Sequence, residues 1–186
     1  MPSKARSADS VLVVVDEQPM FMRTVWEAER VVRRTEFLIR IAALMEIPVL
    51  ATEQNPTRMG GTDERLTSFI RRPFGKMAFS CCGSSEFRSA LMETGRHQAI
   101  LVGVETHICV SQTAIDLLTA GFEVMVCPDS VSARSVEMHK LGMERLRDSG
   151  VLPIHTESVA YEWMGAADHP VFREALKVVK EFGPDT

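Results

Sequence analysis

Two rhythms of apolar residues run along this chain. Short unbroken apolar runs are separated by longer stretches in which apolar positions recur every three or four residues. Val11–Val15 is an unbroken run, the pattern of a strand buried on both faces. From about Thr24 to Glu46, apolar residues at Val31, Leu38, Ile39, Ala42 and Met45 fall on one helical stripe. Pro48 cannot continue that helix, and Val49–Thr52 predicts a second strand. Ser84 and Ser85 can cap a helix reaching Thr94, with Gly95 just past its end. Further strands are predicted over Gln98–Gly103, Glu123–Cys127 and Leu152–Thr156. Helices are predicted over His107–Ala120 and Ser135–Ser149, closed by Gly121 and Gly150, and two more near Ser158–Met164 and Val171–Phe182.

Strand and helix in alternation imply an α/β fold: a three-layer α/β/α sandwich around a mainly parallel, Rossmann-like central sheet. The longest irregular stretch is Glu53–Gly83, with one short helix expected over about Asp63–Ile70; long irregular segments in compact domains are often functional. With 186 residues and no linker or repeat, a single domain spanning 1–186 is expected, residues 1–9 forming a flexible tail.

Composition narrows the function classes. A net charge of −4 gives no global basic field to recruit nucleic acid or an anionic membrane. No apolar run approaches the roughly 20 residues of a membrane span. Val11–Val15 is too short for the core of a secretion signal, so a cytoplasmic location is expected, an organelle-targeting remnant at the N-terminus being the alternative. The four cysteines, at 81, 82, 109 and 127, are then expected to be thiols. They form no CxxC pattern, and the five histidines show no HxH or HxxxH spacing, so no metal is expected. No glycine-rich phosphate loop follows a strand, so neither a dinucleotide nor any other cofactor is expected.

In open α/β sheets, ligands bind beyond the C-terminal ends of the strands. That rule selects Asp16 after the first strand, Glu53 and Gln54 after the second, Glu105, Thr106 and Cys109 after the third, and Asp129 and Ser130 after the fourth. Cys109 falls in the first turn of a helix, where unpaired amides and the positive end of the dipole favour an anion. On that ground its thiol pKa is expected to fall below ~8.5; the competing role is that of a small buried hydrophobe. Asp16 ends an apolar strand, where a carboxylate is costly to bury unless paired; it could instead cap its loop. Lys76, between Gly75 and the apolar Met77–Phe79, is a surface charge by default. Gln18, Glu53, Gln54 and His107 are candidates to shape a substrate pocket, with solvated loop, helix-surface or subunit-contact roles as the alternatives.

Together these residues resemble the isochorismatase-like cysteine hydrolases. The resemblance rests on VLVVVDEQ (11–18), the lysine of GKMAFS (75–80) and GVETHICVSQTAIDLLTAGFEV (103–124), and it extends from about Ser10 to Phe182. TEQNPTRMGGT (52–62), DSVSAR (129–134) and ESVAYEWMG (157–165) place it near the isochorismatase-domain-containing branch. The resemblance implies a triad of Asp16, Lys76 and Cys109. It also implies an oxyanion hole from the backbone amides of Glu105 and Cys109, and a cis Val104–Glu105 peptide. The implied reaction is hydrolysis of a C–N bond in a small amide through a thioester on Cys109.

The enzyme that names the superfamily cleaves a vinyl ether without this cysteine, so Cys109 argues for amide chemistry. Nicotinamidase relatives carry Asp-x-His for a metal where this chain has Glu53, Gln54 and Asn55. A ribonuclease role, which some relatives' labels carry, draws no support from the charge or from a paired-His site. The expected partners are a small-molecule substrate and further copies of the chain in a homo-oligomer, with no nucleic acid or membrane. A non-catalytic binding protein that keeps the fold is the alternative. A redox-sensing thiol would require Cys81 or Cys127 within disulfide reach of Cys109.

Overall fold

The structure, a computed structural model, describes residues 3–183. Six parallel strands form one sheet in the order β3-β2-β1-β4-β5-β6. They are β1 (Ser10–Val15), β2 (Val49–Gln54), β3 (Phe74–Lys76), β4 (Gln98–Val104), β5 (Glu123–Ser132) and β6 (Leu152–Pro153). The chain builds outward from β1 to β2 and β3, then returns to the other side of β1 with β4. The crevice between the ends of β1 and β4 is thus the topological switch point.

Both faces of β1 are covered, which is why its sequence is a continuous apolar run. Leu12 and Val14 point to one layer, where they meet α2 (Ala28–Leu44), α8 (Thr156–Met164) and α9 (Phe172–Phe182). Val11, Val13 and Val15 point to the other, built from α5 (Ser85–Glu93), α6 (Ser111–Thr119) and α7 (Val136–Asp148). Short helices α1 (Pro19–Met22), α3 (Pro56–Met59) and α4 (Glu64–Thr67) lie in the connections. Ser84 and Ser135 cap α5 and α7 by accepting from the amides of Phe87 and Met138. The C-terminal helix docks on the domain itself, with Phe182 against Phe37 and the guanidiniums of Arg33 and Arg40 over its ring.

Several boundaries differ from the sequence reading. The helix expected from Thr24 begins at Ala28, preceded by the separate turn α1. A strand, β3, stands inside the stretch read as irregular, and the strand expected to reach Thr156 stops at Pro153. The strand expected to end at Cys127 runs on to Ser132. Its register on β4 slips there: Leu101 pairs with Val126, but Gly103 pairs with Val131. Nor is the N-terminal segment loose where it is described. The Ala5 amide donates to Glu162, the Arg6 amide donates to Gln98, and Ala5 is buried. Residues 1 and 2 lie outside the described residues.

Beneath the switch point lies a buried polar cluster of which sequence reasoning singled out only Ser130. Glu17 is fully buried; its Oε1 accepts from Thr35 Oγ1, whose own oxygen accepts from Ser130 Oγ at 2.8 Å. Glu17 Oε2 has no partner among the described residues. Burial pushes this carboxyl up from 4.5 to about 8, the Thr35 bond only partly opposing it.

Candidate active site

Asp16 leaves β1 with φ of +51°, a left-handed conformation that aspartate tolerates better than most residues. That turn carries its carboxylate across the top of the sheet toward β2 and β3. Thr52 Oγ1, at the end of β2, donates to Asp16 Oδ1 at 2.8 Å. Lys76 Nζ, at the end of β3, donates to Asp16 Oδ2 at 2.7 Å. The pairing of β2 with β3, Gln54 opposite Lys76, brings the lysine there. The side chains of Lys76 and Asp16 are 0% and 1% exposed, so the ion pair is dry. Lys76 also donates to Gln54 Oε1 at 2.7 Å and to the carbonyls of Phe79 and Ala78 at 2.9 and 3.2 Å, which gives its ammonium protons a full set of acceptors.

Cys109 comes from the opposite side of the crevice. Between β4 and α6 the chain makes a single π-helical turn, Thr106–Val110, after a cis Val104–Glu105 peptide bond. Gly103, at φ +108°, allows β4 to approach β1 closely: a Cβ there would lie 2.2 Å from the Val15 carbonyl oxygen. On the far side Gly142 of α7 packs against the turn, where a Cβ would meet the His107 backbone at 3.0 Å. The turn is thus held between sheet and helix, and Cys109 is 8% exposed.

Asp16 and Cys109 share one cavity of about 80 Å³. Gln54 and Glu105 complete its polar wall, and Phe21, Phe79, Val104 and Ile108 form the apolar remainder. Lys76 stands behind Asp16 and does not reach the cavity. The Glu105 carboxylate turns outward, accepting from the Arg134 amide and Nε at 3.0 and 3.1 Å.

The expected lowering of the Cys109 pKa is overturned. Burial pushes the thiol up, the neighbouring Asp16 carboxylate adds to the rise, and Lys76 only partly offsets them. The reading from a helix N-terminus weighed the dipole but not the carboxylate that the fold places beside the sulfur. Cys81 lies in the same environment, pushed up to about 12 first by burial and then by Asp16. Its sulfur is 3.3 Å from Thr52 Oγ1. Because that hydroxyl spends its proton on Asp16, the Cys81 thiol is the donor to it.

Three candidates for the pocket lie elsewhere. Gln18 is buried as a clamp: its Nε2 donates to the carbonyls of Gln54 and Gly60, and its Oε1 accepts from the Gln54 amide. Glu53 anchors the following loop through the Thr62 amide and hydroxyl at 2.7 and 2.8 Å. The backbone of His107 packs against Gly142 of α7, and its Nδ1 is buried with no partner among the described residues. Asp129 and Ser130 are likewise spent structurally, Asp129 accepting from the Thr156 amide and hydroxyl. Among the described residues no group of three or more His, Cys, Asp or Glu side chains is placed to hold a metal. None of the described helices is long and apolar enough to cross a membrane.

Comparison with known proteins agrees with this architecture. The isochorismatase domain model matches residues 10–158. Isochorismatase domain-containing protein 2 of Danio rerio is 36% identical over 178 residues, covering 95% of this chain and 90% of that protein. The structure of MAR1 ribonuclease from Caenorhabditis elegans superposes with a TM-score of 0.92 at 30% identity, covering 99% of this chain and 96% of that one. The YcaC gene product of Escherichia coli, described as an octameric hydrolase of unknown specificity, shares the fold with a TM-score of 0.91 at 20% identity, over 100% of this chain and 94% of that one. The matched domain and these full-length similarities establish that the chain belongs to the isochorismatase family and has its hydrolase fold.

Proposed function

We propose that this protein is a cysteine hydrolase that cleaves the C–N bond of a small amide. The supporting observation is that a thiol and a lysine-paired carboxylate converge on one small, mostly apolar cavity at the switch point. The chain contributes two groups at hand for proton transfer, and the raised pKa of Cys109 makes the thiol the resting form. Asp16 therefore acts as general base at the moment of attack, and Lys76 keeps its carboxylate in place. The Cys109 sulfur bonds to the carbonyl carbon as its proton passes to Asp16. The backbone amides of Glu105 and Cys109 receive the oxyanion. Asp16 returns the proton to the leaving nitrogen, the C–N bond breaks, and a thioester remains on Cys109. Water then attacks the thioester as Asp16 takes its proton, the C–S bond breaks, and Asp16 returns the proton to the Cys109 sulfur, releasing the acid and restoring the thiol.

Because the three side chains act together, Cys109→Ala, Asp16→Asn and Lys76→Met should each reduce amide turnover about a thousandfold or more. Rapid acid quench of the wild type followed by mass spectrometry should reveal an acyl group on the Cys109 peptide. Wild-type turnover in Asp16→Asn would refute the mechanism. The ribonuclease name of the Caenorhabditis elegans relative suggests another substrate, but a cavity of about 80 Å³ does not admit a nucleotide to the thiol. Degradation of RNA by wild type and Cys109→Ala alike, without amide turnover, would decide for that reading. The octameric relative suggests that this chain too forms a homo-oligomer, which sedimentation velocity tests directly.

A further inference from the structure

Resting on that reading of the reaction, we propose that the acceptable substrates are uncharged amides with a short aliphatic acyl group, and that the site rejects amides carrying a carboxylate or an aromatic ring. The cavity that holds the Cys109 sulfur measures about 80 Å³, against roughly 300–1,000 Å³ for pockets that enclose drug-sized ligands. At ~10–15 Å³ for each water-sized position, it has room for on the order of five to eight non-hydrogen atoms. The apolar wall is aliphatic and aromatic, from Val104, Ile108, Phe21 and Phe79, and favours an acyl chain of a few carbons.

Charge selection follows from how the polar groups of the wall are already used. Among the described residues no lysine, arginine or histidine lines the cavity. Lys76, a buried cation nearby, has a fully buried side chain and is engaged by Asp16, Gln54 and two carbonyls. Gln54 accepts from Lys76 and donates one of its two N–H groups to the Met77 carbonyl, which leaves at most one neutral donor to the cavity. Arg134 is tied to Glu105 on the outside, with its side chain half exposed. With the backbone amides taken by the scissile carbonyl, a substrate carboxylate would therefore lose its water and meet the Asp16 carboxylate, the thiol and at most one neutral N–H of Gln54, with no cation to balance its charge. A substrate ammonium gains little either, because Lys76 already neutralises Asp16. An uncharged amide needs only the backbone amides for its carbonyl and apolar contact for its chain.

Two experiments separate this inference from the reaction on which it rests. The first is alkylation of Cys109 by iodoacetamide and by iodoacetate, which differ in charge and little in size, followed by peptide mass spectrometry. The rate ratio of the neutral to the anionic reagent should be at least tenfold larger in the native protein than in the unfolded chain at the same pH. A native ratio equal to or below the unfolded one would overturn the proposal, as would a native Cys109 that neither reagent reaches. The second is a substrate series. Butyramide should exceed succinamate at least a hundredfold in kcat/KM, and benzamide at least tenfold. Phe79→Ala, which trims a half-exposed side chain on the wall, should raise benzamide turnover relative to butyramide. Succinamate turned over as well as butyramide would overturn the proposal. No turnover of any amide, with the alkylation ratio as expected, would refute the hydrolase reading and leave the charge selection of the cavity standing.

Discussion

Glu17 should make the protein less stable as pH rises through neutrality. Its carboxyl is fully buried beside the site, with one oxygen bonded to Thr35 and the other without a partner among the described residues, and its pKa stands near 8 against an ordinary 4.5. Below pH 4.5 the folded and unfolded chains both hold the proton, and Glu17 costs nothing through ionisation. Between 4.5 and 8 the unfolded chain releases the proton and the folded chain keeps it, so the unfolded state gains about 1.4 kcal/mol per pH unit. The loss reaches roughly 3 kcal/mol at pH 7 and levels off near ~5 kcal/mol above pH 8. Glu17→Gln keeps the shape of the neutral acid and cannot ionise. Urea unfolding of wild type and Glu17→Gln, followed by circular dichroism from pH 5 to 8, should show the variant's advantage growing by about 1.4 kcal/mol per pH unit. A stability difference that stays flat across this window would refute the assignment of a buried neutral acid.

Breaking the Lys76–Asp16 pair by Lys76→Met leaves a buried carboxylate without its counter-ion and should cost about 3–5 kcal/mol in chemical unfolding, whereas adding Asp16→Leu should recover most of that stability and none of the turnover. A double variant as unstable as the single one would contradict this. Thr52→Val deletes a donor to Asp16 and should lower kcat on the order of tenfold to a hundredfold, with Thr52→Ser close to wild type; equal rates in the two variants would count against the hydroxyl. Gly142→Ala puts a methyl group 3.0 Å from the His107 backbone and should destabilise the protein by roughly 1–3 kcal/mol while changing the alkylation rate of Cys109, and an unaltered melting temperature and rate would mean that α7 does not brace the turn.

The sequence made the layered fold legible because its long elements carry clear periodicities. Val11–Val15 has the pattern of a doubly covered strand, and the helices over 85–93 and 136–148 were marked by serine caps. The elements it missed are those in which local preference is weak and pairing decides. β3 is three residues, Phe-Gly-Lys, with no apolar signal, and it exists because β2 offers an edge. β5 continues past Pro128 because β4 resumes pairing after the slipped register. In the site, the strand-end rule selected Asp16 and Cys109, while Lys76 came from the family resemblance. Thr52 was hidden because a threonine in a strand reads as a β-branched strand former. Phe21 and Phe79 were hidden because the short helix α1 and the loop after β3, not their neighbours in sequence, bring them to the cavity. The direction of the Cys109 pKa failed for a related reason: a dipole can be read from sequence position, but burial and a facing carboxylate cannot.

The fourfold engagement of Lys76 has a consequence for motion. Two of its acceptors are the carbonyls of Ala78 and Phe79, so the same ammonium that holds Asp16 also ties down the segment that follows β3. That segment cannot swing away without stripping the lysine of acceptors and disturbing the carboxylate, and it carries Phe79, a wall of the cavity. Local opening and loss of the proposed catalytic arrangement are then one event, with one free energy. Under mild denaturant, amide exchange in residues 76–83 should accelerate at the same concentration at which turnover fades, well before the sheet itself gives way.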